Sequence, residues 1–354
     1  MQVKQFIFPA ICGLLCLLIA VSVISIHINA QEQEQKNADC DYIQWVSFDV
    51  PEQAMEKALE ADISSHNETV QLHWVDLLSY LAASYWGDWK KYREKDMDEL
   101  IEKLKSGQSV EELAAPYQQF DYFREAYEAV LGGMVGEYEI GTGGYDVSGN
   151  AVMETKYGLR AYSPIAYGYS FSHYDDFGNS RSYGFSRRHL GNDLMASVGT
   201  PVIAVESGVV THCGWNQYGG WRIGIRSLDG KRYYYYAHLQ KDHPFVDGIE
   251  EGTIVNAGDP IGYVGMTGYS TEENVNGMKA PHLHFGMQLI FDESQVECDS
   301  EIWIDVYDLV NLLEHHKSPV VREEGAADYT RKYPFCDPTV IDAERTISHE
   351  VALE

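Results

Sequence analysis

Basic residues are scarce in this sequence. Its 354 residues include 26 lysines and arginines against 54 aspartates and glutamates, which gives a formal net charge of −28. A chain so acidic does not suit proteins that bind nucleic acid or anionic lipid through a basic patch. We therefore expect no nucleic-acid partner, and we interpret the excess of acidic residues as a solvated surface.

Cysteine is scarce as well. The chain has six cysteines, and no two of them stand at Cys-x-x-Cys spacing. This pattern argues against a structural zinc site built from thiolates. Any metal site in this protein is therefore expected to use histidine and carboxylate ligands.

Only one apolar stretch is long enough to cross a bilayer. Residues 6–26 contain no charged residue, follow Lys4 and precede a polar Gln-Glu run. The residues before Ala30 make a poor cleavage site, which favours an uncleaved anchor over a cleaved signal peptide. We expect residues 1–30 to be a membrane anchor or a signal peptide, with the rest of the chain working outside the cytoplasm.

The first half of the remaining chain is helical in pattern. Apolar residues recur there at three- and four-residue intervals, which indicates helices that bury one face. Ser109 and Glu112 match a capping box at a helix start. The pattern predicts helices over residues 70–85, 97–105, from 109 onwards and 120–131. We expect a helical domain of unknown role over residues 31–140.

The composition changes at about Gly141. Glycine, tyrosine and serine become frequent, and short β-rich runs alternate with turn residues. Strands are predicted over residues 202–205, 222–226, 233–239, 260–264 and 282–289, followed by a closing helix over residues 302–313. We expect a linker (141–170), an antiparallel all-β domain (171–318) and a C-terminal tail (319–354). The predicted fold class is α+β, with helices before the β-domain.

The pair His282 and His284 suggests a metal centre. Two residues separated by one lie on the same face of a strand, because side chains alternate with period two. The pair is a weak signal by itself, but His189, Asp193 and His238 lie upstream. Two histidines and one carboxylate, with a fourth position left to water, match the ligand count of a catalytic zinc ion.

The order of these residues resembles the M23 family of zinc metallopeptidases, which includes lysostaphin and the LytM-type peptidoglycan endopeptidases. The resemblance covers residues 171–310. It rests on five segments in sequence: His189-x-Gly191-x-Asp193, Gly199-Thr200-Pro201-Val202, Tyr236-Ala237-His238-Leu239, the glycine-rich run Gly258 to Gly268, and His282-Leu283-His284-Phe285.

The resemblance implies a lysostaphin-like fold and assigns the residues their roles. The family's metal ligands correspond to His189, Asp193 and His284, and its two catalytic histidines correspond to His238 and His282. It also implies Zn²⁺ as the cofactor and peptidoglycan peptides as the substrate. The sequence does not divide the acid–base and oxyanion roles between His238 and His282.

A glycine-rich loop before one strand is the predicted substrate contact. Asn216, Tyr218 and Trp221 lie on or beside this loop, and we expect them to line a substrate groove. The leading functional hypothesis is an endopeptidase that cleaves peptidoglycan peptides with metal-activated water. Two alternatives are a zinc-binding, non-hydrolytic scaffold for wall assembly or sporulation, and a non-haem iron oxygenase, whose ligand set is similar.

Overall fold

Helices precede the sheets in the computed structural model, which describes residues 42–182, 186–296, 298 and 300–351. The α-helices are α1 (Glu52–Ser65), α2 (Trp74–Tyr85), α3 (Glu94–Lys105), α4 (Val110–Ala114), α5 (Phe120–Leu131), α6 (Tyr307–Glu314) and α7 (Pro338–Val351). The first eight strands are β1 (Val135–Tyr145), β2 (Ala151–Leu159), β3 (Ser180–Ser182), β4 (Ser186–Arg188), β5 (Asn192–Leu194), β6 (Pro201–Ile203), β7 (Gly208–Asn216) and β8 (Gly220–Ser227). The other eight are β9 (Arg232–Ala237), β10 (Ile254–Val255), β11 (Pro260–Tyr263), β12 (Leu283–Leu289), β13 (Ile302–Ile304), β14 (Val320–Val321), β15 (Thr330–Arg331) and β16 (Phe335–Cys336).

The α+β prediction is confirmed, and local sequence signals account for the helices. In α2, Leu77, Leu78 and Leu81 share one buried face. The predicted capping box is present before α4: Ser109 Oγ accepts a hydrogen bond from the Glu112 amide, and the Glu112 carboxylate accepts one from the Ser109 amide. These signals are local, so they can be recognised without knowledge of the tertiary structure.

A seven-stranded antiparallel sheet forms the larger part of the β-region. Its main path runs β10-β7-β8-β9-β12-β13, and β5 also pairs with β12. Alternate residues of β9 point to opposite faces: Tyr234 and Tyr236 are fully buried in the core, whereas Tyr233 and Tyr235 line a groove on the other face. The sheet therefore separates a hydrophobic core from an open groove.

The segment predicted as a closing helix is a strand followed by a shorter helix. Residues 302–304 form β13, which pairs with β12, and α6 begins only at Tyr307. The apolar residues of this stretch fit a helical face and a short strand equally well. Pairing with β12 is a tertiary interaction and decides between the two.

Two segments predicted as connections have regular structure. Residues 141–159, within the predicted linker, belong to the β1–β2 hairpin, and residues 319–354, predicted as a tail, contribute β16 to the same sheet. The carboxylate of Asp337 is buried and accepts hydrogen bonds from Arg160 (3.0 Å) and Ser207 (2.8 Å). The charged composition concealed this packing, because the buried charge of Asp337 is compensated by partners from distant segments. Whether the predicted domains fold separately stays a prediction.

Arg232 joins the helical part to the sheet. This β9 side chain is fully buried, and its guanidinium donates to both carboxylate oxygens of Glu206 at 2.8 and 3.0 Å. It also donates to the Ala129 carbonyl of α5 at 2.7 Å and to Asp229 at 2.8 Å. Tyr234 donates to the same Glu206 carboxylate at 2.6 Å. A buried ion pair therefore holds the last long N-terminal helix against the sheet.

No helix within the described residues is long and apolar enough to cross a membrane. The apolar run of residues 6–26, predicted as an anchor or signal peptide, lies outside those residues.

Candidate active site

Strand β12 gathers the residues of the candidate site. His284 pairs in register with Asp193 of β5 on one edge and with Ala237 of β9 on the other. His238 directly follows β9, and His189 lies just before β5. Sheet pairing thus brings together residues that are almost one hundred positions apart in the sequence.

Three donor atoms from His189, Asp193 and His284 form a small triangle. Nε2 of His189 lies 3.0 Å from Oδ1 of Asp193 and 3.1 Å from Nδ1 of His284, and the last two atoms are 2.9 Å apart. Ligands that share a zinc ion at about 2.0–2.2 Å stand roughly 3 Å apart, so the spacing and chemistry of these atoms fit such an ion. The group could hold a metal.

Asp176 fixes the orientation of His189. Its Oδ1 lies 3.0 Å from Nδ1 of His189. A proton on Nδ1, donated to this carboxylate, would leave Nε2 directed at the triangle as a metal ligand. Arg181 contacts the Asp176 carboxylate and lies 3.4 Å from Oδ2 of Asp193. Sequence reasoning missed both residues, because neither stands at a spacing that indicates a ligand.

The environment favours the charge states that metal ligands need. Burial by itself raises the pKa of Asp193, but the close contacts of its carboxylate with the His189 and His284 imidazoles outweigh burial and hold the pKa well below its usual range. Burial lowers the pKa of His284. An ionised carboxylate and a neutral imidazole are the forms that bind a divalent cation.

His238 and His282 present their Nε2 atoms in the same way. Each donates its Nδ1 proton to a backbone carbonyl: His238 to Thr267 at 2.8 Å and His282 to Ala280 at 3.0 Å. Their rings are 4.8 Å apart. Among the described residues, the buried Nε2 of His282 has no hydrogen-bond partner, and it lies 3.9 Å from Oδ1 of Asp193. Burial, assisted by the neighbouring histidines, lowers the pKa of His238 to about 3. Two imidazoles therefore stand beside the triangle, each held through its Nδ1 atom.

Two features of the backbone shape this site. His238 has φ of 61°, a left-handed conformation that is uncommon for a residue with a side chain and that tends to occur at functional sites. A Cβ atom at Gly191 would lie 2.5 Å from the Phe285 carbonyl oxygen and 2.8 Å from Nε2 of His284. Only glycine allows β5 to approach the ligand-bearing strand this closely.

A groove of about 530 Å³ opens beside the triangle. His189 and His284 form part of its lining, together with Tyr233 and Tyr235 of β9 and Trp303 of β13. The groove lies on the face of the sheet opposite the core, so an extended peptide could reach both histidines. An arrangement of a potential metal centre, two neighbouring imidazoles and a peptide-sized groove can support hydrolysis of an amide bond.

The three residues predicted to line a substrate groove are not among those that line the groove beside the triangle. Asn216 Oδ1 accepts hydrogen bonds from the Tyr218 and Gly219 amides at 3.0 and 2.6 Å, so it shapes the loop. The Arg187 guanidinium lies 6.0 Å from the Tyr218 ring. Trp221 packs against Phe245 on the other face of β8 and donates to Asn274 at 2.9 Å. The Trp221 ring therefore lies away from the groove.

Known proteins resemble this chain in sequence and in fold. Residues 187–297 match the model of peptidase family M23. The chain is 42% identical over 124 residues to the L-Ala–D-Glu endopeptidase of Bacillus subtilis (strain 168), which is 35% of this chain and 36% of that protein. It is also 42% identical over 98 residues to the glycyl-glycine endopeptidase ALE-1 of Staphylococcus capitis, which is 27% of this chain and 24% of that protein.

The likeness to a solved structure extends beyond the family match. A crystal structure of a LytM-like glycyl-glycine endopeptidase from Ruminococcus gnavus ATCC 29149 matches with a TM-score of 0.50 and 24% identity, covering 76% of this chain and 89% of that one. At this identity the likeness concerns the fold alone. The chain spans 36% or less of the length of the two curated relatives described above. It contains a domain of peptidase family M23.

Proposed function

We propose that this protein is a zinc-dependent endopeptidase that hydrolyses peptide bonds in bacterial cell-wall peptidoglycan. The observation that carries the proposal is the triangle of His189, Asp193 and His284 donor atoms, 2.9–3.1 Å apart, at the end of a groove. The M23 domain and two relatives named as endopeptidases support it. Neither relative favours a non-hydrolytic scaffold.

His189, Asp193 and His284 would hold the zinc ion. When bound, zinc supplies a Lewis acid that makes water nucleophilic near neutral pH and polarises the carbonyl of the bond to be cleaved. Asp176 supports this set by keeping His189 in the tautomer that offers Nε2.

His238 and His282 would move protons. With Nδ1–H of each committed to a carbonyl, a neutral ring accepts a proton at Nε2 and returns it to the leaving amine. A protonated ring in the same place stabilises a developing oxyanion. The two histidines have equivalent hydrogen bonding, so the two roles are not divided between them.

Substrate would lie along the groove and outside the cytoplasm. We propose that Asn216 and Tyr218 contact it at the groove rim, and that Trp221 acts by holding the adjacent strand and loop. Residues 1–30 would anchor the protein in the membrane or direct its export, since residues 6–26 form one apolar run. The partners are then peptidoglycan peptides at the cell wall.

A wall digest tests the proposed function. Zinc-loaded protein should release new amino termini from purified peptidoglycan, and mass spectrometry of the products should identify one type of cleaved peptide bond. The Asp193→Ala variant serves as the control, because it removes the proposed carboxylate ligand. Intact peptides after prolonged digestion, or equal release by the control, would contradict the proposal.

Replacing Asp176 tests the support of the metal centre. Asp176→Asn cannot accept the His189 Nδ1 proton as strongly, so we expect zinc affinity to fall roughly 10–100-fold while the fold is retained. Competition with a chromophoric chelator measures the affinity, and circular dichroism checks the fold. The matched control is Glu272→Gln, which neutralises an exposed carboxylate away from the triangle. Unchanged affinity in Asp176→Asn would show that the contact does not support the site.

A further inference from the structure

The charge of the groove is opposite to that of the chain. Four arginines and one glutamate line it: Arg187, Arg188, Arg222, Arg226 and Glu301. These side chains carry three net positive charges, whereas acidic residues outnumber basic ones by 54 to 26 in the whole sequence. Four arginines facing one groove of such an acidic protein indicate a ligand with negative charge.

Two of the arginines have partners within the protein. Arg226 donates to the Glu293 carboxylate at 3.0 Å and to the Gly230 carbonyl at 3.0 Å. Arg187 contacts the Tyr269 hydroxyl, and its guanidinium lies 5.2 Å from the Tyr269 ring. The lining glutamate is also occupied, since Glu301 accepts a hydrogen bond from Trp303 Nε1 at 2.7 Å.

The other two arginines, Arg188 and Arg222, have no acidic partner among the described residues. Within the described parts of the chain neither forms an ion pair, and Arg222 lies over the Tyr235 ring at 6.0 Å. Tyr235 in turn contacts the His284 ring, with centroids 5.8 Å apart. Arg222 is thus one aromatic ring away from a proposed zinc ligand, in the lining of the groove.

We propose that the groove selects an acidic peptide and that Arg188 and Arg222 bind its carboxylates. A guanidinium recognises a carboxylate through two parallel hydrogen bonds, which gives both strength and orientation. This inference rests on the proposed function and names its substrate class: a stem-type peptide with side-chain or α-carboxylates. A glycyl–glycine bridge offers no carboxylate along its length and leaves both arginines unused.

Three synthetic peptides test the selectivity. The first contains an L-Ala–D-Glu bond and keeps the free carboxylate of the D-Glu residue. In the second peptide a carboxamide replaces that carboxylate, and the third peptide is pentaglycine. We expect zinc-loaded protein to show a kcat/KM at least roughly 10-fold higher for the carboxylate peptide, because a charge-assisted hydrogen bond is lost in the others. Arg222→Gln and Arg188→Gln should each raise KM for that peptide roughly 10-fold, with kcat nearly unchanged and the carboxamide peptide unaffected.

Two controls make the result specific. Arg222→Lys keeps the charge without the planar pair of donors, so it should recover part of the affinity for the carboxylate peptide. Arg322→Gln removes an arginine outside the groove lining and should leave the kinetics with all three peptides unchanged. Equal kcat/KM for the carboxylate and carboxamide peptides, or an equal loss on both in the arginine variants, would overturn the inference.

Binding measurements separate this inference from the proposed function. Titration calorimetry with the carboxylate and carboxamide peptides needs no turnover. Selective binding without hydrolysis would support the arginine assignment and contradict the endopeptidase. Hydrolysis without selectivity would support the endopeptidase and contradict the assignment.

Discussion

His284→Ala should lose both zinc and hydrolytic activity. The substitution removes one corner of the three-atom triangle, and the two remaining ligands hold zinc poorly. We expect the zinc affinity to fall by more than the roughly 10–100-fold that outer-shell changes produce. Metal analysis of purified protein and the rate of wall digestion measure the two effects on the same sample.

His282→Ala and His238→Ala should separate metal binding from turnover. Both variants should keep about one zinc ion per chain, because neither ring forms part of the triangle. Both should lose roughly 10²–10⁴-fold in turnover, because each lacks one acid–base group. His243→Ala is the matched control, since this histidine pairs with Asp328 at 2.7 Å outside the groove lining. A His282→Ala variant without zinc, or with turnover within a few-fold of the parent, would contradict these roles.

Arg232→Met should destabilise the fold more than other charge substitutions. It leaves the Glu206 carboxylate and the Ala129 carbonyl buried without their main partner, and breaking a buried pair in this way costs about 3–5 kcal/mol. Urea unfolding followed by tryptophan fluorescence measures the loss of unfolding free energy. The double variant Arg232→Met/Glu206→Met should recover part of it, because the stranded charge is removed as well.

An exposed ion pair provides the comparison for this change. Lys95 and Glu99 lie one turn apart on the exposed surface of α3, so Lys95→Gln should leave the unfolding midpoint within experimental error. If Arg232→Met behaved like Lys95→Gln, the buried contact with α5 would not be what holds the helical part against the sheet.

The sequence predicted those features that depend on local pattern or on ordered motifs. The helices follow apolar spacing, and the Ser109–Glu112 cap is a four-residue signal. His189, Asp193 and His284 could be named because the motif order fixes which residues meet, even though 95 positions separate the two histidines that lie 3.1 Å apart. The strand pairing that brings them together is not visible in any single segment.

Features that depend on tertiary contacts could not be predicted. Asp176 acts on His189 from a loop 13 residues earlier, at a spacing that indicates neither helix nor strand. Trp221 and Arg222 are neighbours, but β8 directs them to opposite faces, and only the sheet register shows which one faces the groove. The buried partners of Asp337 likewise come from distant segments.

A zinc titration with simultaneous measurement of wall hydrolysis tests the central claim most directly. Protein stripped by a chelator should release no new amino termini from peptidoglycan. Activity should then rise in proportion to bound zinc and reach its maximum at about one ion per chain, with no recovery in Asp193→Ala. Hydrolysis that persisted in zinc-free protein, or full zinc occupancy without hydrolysis of peptidoglycan, would contradict a zinc endopeptidase centred on His189, Asp193 and His284.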